Sequence, residues 1–441
     1  MKFNKVISTV LAATMTLGLL VGCGTTKEEV KQEETSKEEV SRETVEREEV
    51  RVLIKWAESQ ISNWTELVEE YNADASNPIT ISLEFYGSEG YDEKVRAELM
   101  GDNPAGVVQL MKTTFNEFAA NGQLEEISGF IADQGWPYNK GALAWAGPLT
   151  NENGGVYGIP DFANTSCIFY NTALFEELGI EIPSDVDSLK AAAATLNENG
   201  YKAIVTGATN WCALDLFANP QAQLVGADFL VDCYNGEAKY NDPKMVEALT
   251  IVNDLIEAGV IDETSADYTD DDAIAEFVMG NAGMYTAHTG MTASIDAVKD
   301  EDFSYDIVEK MNFVENPKTS VAVTWGSMWC IPANVQNKEA AQEALAFLFG
   351  EKVQKNDVEV LGKIVNVEGW NEGLSHPALI TASKQLEGAG TSESFYLLDM
   401  VSSKVFDNMV KGIQEMIRGN ETPQSVLDNA QAVWEEELSQ K

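Results

Sequence analysis

The chain has 441 residues, 44% hydrophobic and 9% aromatic, enough apolar material for more than one core. Its 72 Asp and Glu against 29 Lys and Arg give a formal charge of −43. That field excludes nucleic acid, which needs basic patches, and disfavours a strongly anionic ligand gathered over a broad surface; it suits an acidic soluble surface or a cationic ligand such as a polyamine.

Residues 1–22 join a basic start, Lys2 and Lys5, to an uncharged, mostly apolar run from Val6 to Val21. This is the pattern of an export signal, and the run is short for a transmembrane helix of ~20 residues. Leu20-Val21-Gly22-Cys23 resembles the lipobox of bacterial lipoproteins, in which Cys23 is acylated and becomes the N-terminus. Residues 23–49 repeat a Lys/Arg-Glu-Glu-Val unit without an aromatic residue and are expected to be a tether between membrane and folded body. The other cysteines, Cys167, Cys212, Cys233 and Cys330, are scattered, without metal-ligand spacing. Export permits disulfides, and buried free thiols are an equal reading.

From residue 50 the chain alternates strand and helix patterns. Val50 to Trp56, Ile79 to Phe85 and Val107 to Leu110 read as strands, separated by helices over Asn63 to Tyr71 and Tyr91 to Met100. A second set follows: strands at Ser166 to Tyr170 and Ala203 to Thr206, and helices at Thr172 to Leu178, Ser188 to Asn199, Pro243 to Ala258 and Asp272 to Met279. Val321 to Ile331 is extended and aromatic. Lys338 to Leu348, Ser403 to Ile417 and Pro423 to Leu438 read as amphipathic helices. The fold class is α/β, two units each with a largely parallel sheet, and a helical C-terminal part.

Val156-Tyr157-Gly158-Ile159-Pro160, Phe169-Tyr170-Asn171, Leu174-Phe175, Leu178-Gly179-Ile180 and Pro183, followed by Phe277 to Met284, resemble the family 1 extracellular solute-binding proteins of ABC importers. Weaker pieces are Tyr91 to Lys94 and Gly419 to Leu427. The resemblance implies a two-lobe periplasmic-binding-protein-like fold of type II with the ligand cleft between the lobes. Lobe one is expected at residues 50–161 plus about 286–336, and lobe two at about 162–285 plus 337–441. It implies capture of a sugar or oligosaccharide by hinge closure and delivery to membrane permease subunits, by a monomer lipid-anchored on the outer face of the membrane. The sequence departs from the family at Pro104-Ala105-Gly106, which lacks the usual acid, and at Trp325-Gly326, where two glycines are common.

A sugar presents C–H faces and a rim of hydroxyls, so aromatic faces and planar or charged hydrogen-bonding groups at strand ends are its natural partners. Glu58 and Ser59 beyond the first strand, Lys112 and Thr113 beyond the third, and Asp161 after the Tyr-Gly-Ile-Pro segment are nominated by position. Trp211 lies in a polar turn after a strand, Tyr285 and His288 follow the Phe277 to Met284 motif, and Trp325 and Gly326 lie in the late extended segment. Trp329 reads as core and Asn171 as a helix cap. No metal or cofactor is called for. A glycoside hydrolase would need a carboxylate pair that 72 acids cannot single out; no G-x-S-x-G, H-E-x-x-H or P-loop pattern is present, and there are two histidines. The acid-rich Asp267 to Glu276 lacks EF-hand spacing and reads as a helix start. A non-sugar solute such as a polyamine, an adhesin and a sensor-coupled receptor remain as alternatives.

Overall fold

The computed structural model describes residues 47–58, 61–87, 90–147, 155–388 and 401–439. The export signal, Cys23 and all of the tether up to residue 46 lie outside the described residues, as does Ser59. The strands are β1 (Glu48–Ile54), β2 (Ile79–Phe85), β3 (Val107–Leu110), β4 (Ile159–Pro160), β5 (Phe162–Asn171), β6 (Lys202–Val205), β7 (Ala282–His288), β8 (Tyr305–Ile307), β9 (Val323–Thr324), β10 (Met328–Cys330) and β11 (Ile364–Val365).

The first sheet has the order β2-β1-β3-β10-β4. β1 runs parallel to β2 and β3, and β10 is antiparallel to β3 and β4. Val52, Leu53 and Ile54 are all buried, as a central strand covered on both faces requires. The helix Ser62–Ala73 turns Trp64, Val68 and Tyr71 inward against this sheet. β1 begins two residues before the expected start of the folded body at residue 50, because Glu48 and Glu49 already pair with Ile79 and Thr80.

The second sheet is built on β5. Its ten residues pair antiparallel with β11 at Phe162 and Ala163, β9 at Asn164 and Thr165, β7 from Ser166 to Tyr170, and β8 from Phe169 to Asn171. β6 joins parallel to β7. Asn171 caps the helix Thr172–Leu178, its Oδ1 accepting from Leu174 N at 3.0 Å. The acid-rich stretch is a helix start: Thr269 and Asp272 form a capping box before Asp270–Val278.

β8 and β9 lie on β5, whereas the helix Lys338–Leu348 packs on β1, β2 and β3. Residues 286–325 thus go with the second sheet and the stretch from Gly326 to Leu361 with the first, a correction to the expected lobe boundaries. The reason is that strand periodicity does not say which sheet a strand joins. The helix Cys212–Asn235 was not anticipated, since Pro220 and Gly226 interrupt its pattern; at the break, Lys318 Nζ donates to Val225 O at 2.8 Å. Cys212 and Cys233 stand at opposite ends of this helix, and Cys167, Cys212, Cys233 and Cys330 are free and buried. Among the described residues no helix is long and apolar enough to cross a membrane, and no cluster of His, Cys, Asp and Glu fits a metal ion.

Candidate ligand site at the junction of the sheets

Three connections lead from elements of one sheet into strands of the other: Asp161 between β4 and β5, Trp325 to Ser327 between β9 and β10, and Gly362 and Lys363 before β11. The first two are tied together. Asp161 is buried and accepts from Phe162 N at 2.8 Å, Ser327 N at 3.0 Å, Trp329 Nε1 at 3.0 Å and the Ser327 hydroxyl. Ser327 Oγ also accepts from Gln109 Nε2 at 2.7 Å, and Gln109 Oε1 takes Lys55 N at 2.9 Å. A buried polar chain therefore runs from the end of β1 through β3 to the junction. Burial pushes the Asp161 carboxyl up to about 6, against the pull of its donors and of Lys363. With four donors converging on it, Asp161 stands as a structural clasp at the connection, with its oxygens already engaged.

Gly326 makes the clasp possible. Its φ is +73°, and a Cβ there would stand 2.0 Å from Asp161 Oδ1 and 2.7 Å from Phe162 O. Trp325 beside it is 2% exposed, and its Nε1 has no hydrogen-bond partner among the described residues.

Lys112 is also withdrawn from solvent. Its Nζ donates to Trp145 O and, at 2.8 Å, to Gly147 O, and lies 4.3 Å over the Trp145 ring. It thus satisfies carbonyls at the C-terminal end of the helix Lys140–Trp145, where a cation is favoured. Tyr285 is core: fully buried on β7 with its ring stacked 5.7 Å from Phe169. Thr113 and Glu58 are exposed, Glu58 accepting from Thr65 Oγ1 at 3.0 Å.

Two nominated residues do come together. Trp211, just beyond β6, and His288, at the end of β7, stack with ring centroids 4.6 Å apart and planes 23° apart; both are partly exposed. β6 and β7 are parallel neighbours, so the pair sits at adjacent C-terminal strand ends, where open α/β sheets bind ligands. His288 Nδ1 accepts from Gly290 N at 3.0 Å, leaving Nε2 as the protonated, donating nitrogen. Burial lowers this imidazole to about 4, so it is neutral at neutral pH.

Sequence reasoning missed Trp56, Phe162 and Lys363. The Trp56 and Phe162 rings are 5.2 Å apart, and Lys363 Nζ lies 4.6 Å over Trp56 and 5.2 Å over Phe162. Trp56 was assigned to the first strand, but β1 stops at Ile54 and leaves Trp56 beyond its C-terminal end. Tyr86, 41% exposed, and Met111, 36% exposed, directly follow the C-terminal ends of β2 and β3.

Among proteins of known structure, the chain resembles a chitin oligosaccharide binding protein, with TM-score 0.69 and 20% identity over 89% of this chain and 100% of the other. It also resembles the bacterial solute receptor AcbH, described as preferring β-D-galactopyranose, with TM-score 0.75 and 16% identity over 89% and 98%. These likenesses establish the two-lobe solute-binding fold. A curated relative from Brucella abortus, named for binding with no ligand given, is 24% identical over 285 residues, covering 63% of this chain and 66% of the relative, just short of two thirds of its length. The family model of the bacterial extracellular solute-binding proteins matches residues 57–355, and this chain belongs to that family.

Proposed function

We propose that this protein captures a neutral carbohydrate and passes it to the permease of an ABC importer, tethered to the outer face of the membrane by a lipid on Cys23. The observation that carries the reading is the state of the charges at the strand ends. Lys55 faces Asp92 at 3.4 Å, Lys112 is committed to backbone carbonyls, and Asp161 is committed to the clasp. The groups that remain include ring faces and a neutral donor, Trp56, Tyr86 and the Trp211–His288 pair with its Nε2–H, beside the exposed Glu58 and the half-buried Asp270 and Lys363. Ring faces with hydrogen-bonding groups at their rim match a sugar. The two similar structures whose descriptions concern an oligosaccharide and a galactopyranose support the same class.

The lobes close about the three connections at Asp161, Trp325 to Ser327, and Lys363, and the ligand favours the closed form through contacts with both. The protein works as a monomer without chemistry on its ligand. The test is a thermal-shift screen with neutral mono- and oligosaccharides, matched uronic acids, polyamines and amino acids. A ligand at 100 times its Kd adds ~2.7 kcal/mol of stability. A shift with one neutral sugar series is expected, together with loss of its uptake on gene deletion. A shift with polyamines alone would overturn the sugar assignment and leave the fold standing; the charge of −43 makes that the second reading.

A further inference from the structure

The junction holds two buried carboxylates. Asp161 is 6% exposed and Asp357, on the helix Glu351–Leu361, is 3% exposed. Each takes an indole N–H: Trp329 Nε1 donates to Asp161 Oδ2 at 3.0 Å, and Trp64 Nε1 donates to Asp357 Oδ1 at 2.9 Å. The two indoles pack with centroids 4.9 Å apart, and Trp56 lies edge-on to Trp329 at 6.4 Å. Asp357 also accepts from Asn63 Nδ2 at 2.6 Å and Gln354 Nε2 at 3.4 Å. Neither carboxylate has an ion-pair partner within 4.0 Å among the described residues. A buried anion without a cation carries a large desolvation penalty.

One lysine adjoins both of them in the structure. Lys363 follows the helix that carries Asp357, donates its own N–H to Asp357 O at 3.3 Å, and lays its ammonium over Trp56 and over Phe162, the residue next to Asp161. That ammonium has no hydrogen bond or ion pair of its own among the described residues. We propose that Lys363 is the charge keystone of the hinge, a positioning residue whose single ammonium balances Asp161 and Asp357 together and thereby joins the third connection to the other two and holds Trp56 at the end of β1.

The electrostatics agree. Burial raises both carboxyls and lowers Lys363, while Lys363 draws both carboxyls down and both carboxylates draw Lys363 up. The other titratable group facing Asp161 is the Tyr138 hydroxyl, itself raised by burial. The remaining groups against Asp161 are Phe162 N, Ser327 and Trp329; those against Asp357 are Asn63, Trp64 and Gln354.

The sign follows. Removing the ammonium raises both folded-state carboxyl values further above their unfolded ones. The resulting instability is full at alkaline pH and fades as pH falls through those values and the carboxyls take up protons. The test is thermal unfolding of the full chain from about pH 8 to about pH 5, for the parent, Lys363→Met, Lys363→Arg and Lys363→Met with Asp357→Asn. Lys363→Met is expected to lose midpoint temperature at pH 8 and to regain more than half of the loss at pH 5. Lys363→Arg should follow the parent, and Asp357→Asn should restore part of the midpoint of Lys363→Met. An equal loss at every pH, or an Arg variant that behaves like the Met variant, would overturn the proposal. If Lys363→Met folds only at the acid end, the keystone role stands; if it folds nowhere and Lys363→Arg fails likewise, the role falls. No ligand enters the experiment, so its failure leaves the carbohydrate reading untouched.

Discussion

Gly326 and Asp161 stand so close that a single methyl group cannot be placed between them: a Cβ on Gly326 would lie 2.0 Å from Asp161 Oδ1. The contact joins the two connections that carry the chain out of and back into the first sheet. Gly326→Ala meets both this contact and a φ of +73°, and should lose about 3 kcal/mol or more of stability in urea denaturation. Asp161→Asn, which keeps the shape but turns an acceptor oxygen into a donor facing N–H groups, should lose a comparable amount.

Lys112→Met separates structure from ligand contact. It removes the donor from Trp145 O and Gly147 O and should cost about 3 kcal/mol of stability, as buried carbonyls left unpaired do. Titration calorimetry of the folded variant should give the parent's ligand affinity. A selective loss of affinity would return Lys112 to the binding surface.

Trp211 and His288 should behave as one platform. Trp211→Ala is expected to weaken sugar binding by roughly tenfold or more, and His288→Ala by about 2- to 10-fold through loss of the stacked partner. Both effects would be read as changes in Kd with little change in thermal midpoint.

The same histidine fixes a pH dependence. Burial holds His288 near 4, below its ordinary 6.5, so the unfolded chain takes up a proton before the folded one does. Its contribution to stability is complete above pH 6.5 and is lost as pH falls toward 4. His288→Phe should flatten the denaturation free energy across that window while leaving the alkaline side unchanged.

The cysteines allow a count. Cys167, Cys212, Cys233 and Cys330 are buried, and burial raises their thiols, that of Cys233 to about 12, so native protein should react negligibly with a thiol reagent. In denaturant, four of the five cysteines should react if Cys23 carries a thioether-linked lipid, and all five in a Cys23 precursor that escaped acylation.

Local signals carried much of the fold. The helix Thr172–Leu178 could be placed from Asn171 and Gly179, and the helix Lys338–Leu348 from its apolar spacing, because caps and periodicity act within a few residues. The run from Val321 to Ile331 shows the limit. It reads as one extended stretch, yet β9 belongs to one sheet and β10 to the other, and the break falls at Gly326. Site residues followed the same division. Trp211 and His288 could be nominated locally, one from a polar turn after a strand and the other from the motif before it, whereas the clasp of Asp161 depends on Ser327 and the keystone on Lys363, partners far along the chain that no local pattern reveals.

β5 gives the molecule its mechanical character. One strand holds β11, β9, β7 and β8 along ten residues, so segments that return from the first sheet are bonded to the second as soon as they arrive. In the proposed closure the bending would fall outside β5, at places such as Asp161, Trp325 to Ser327, and Gly362 and Lys363. A change at one of these residues would then alter how easily the two halves swing, whereas a change on β5 would alter how stiffly one half travels.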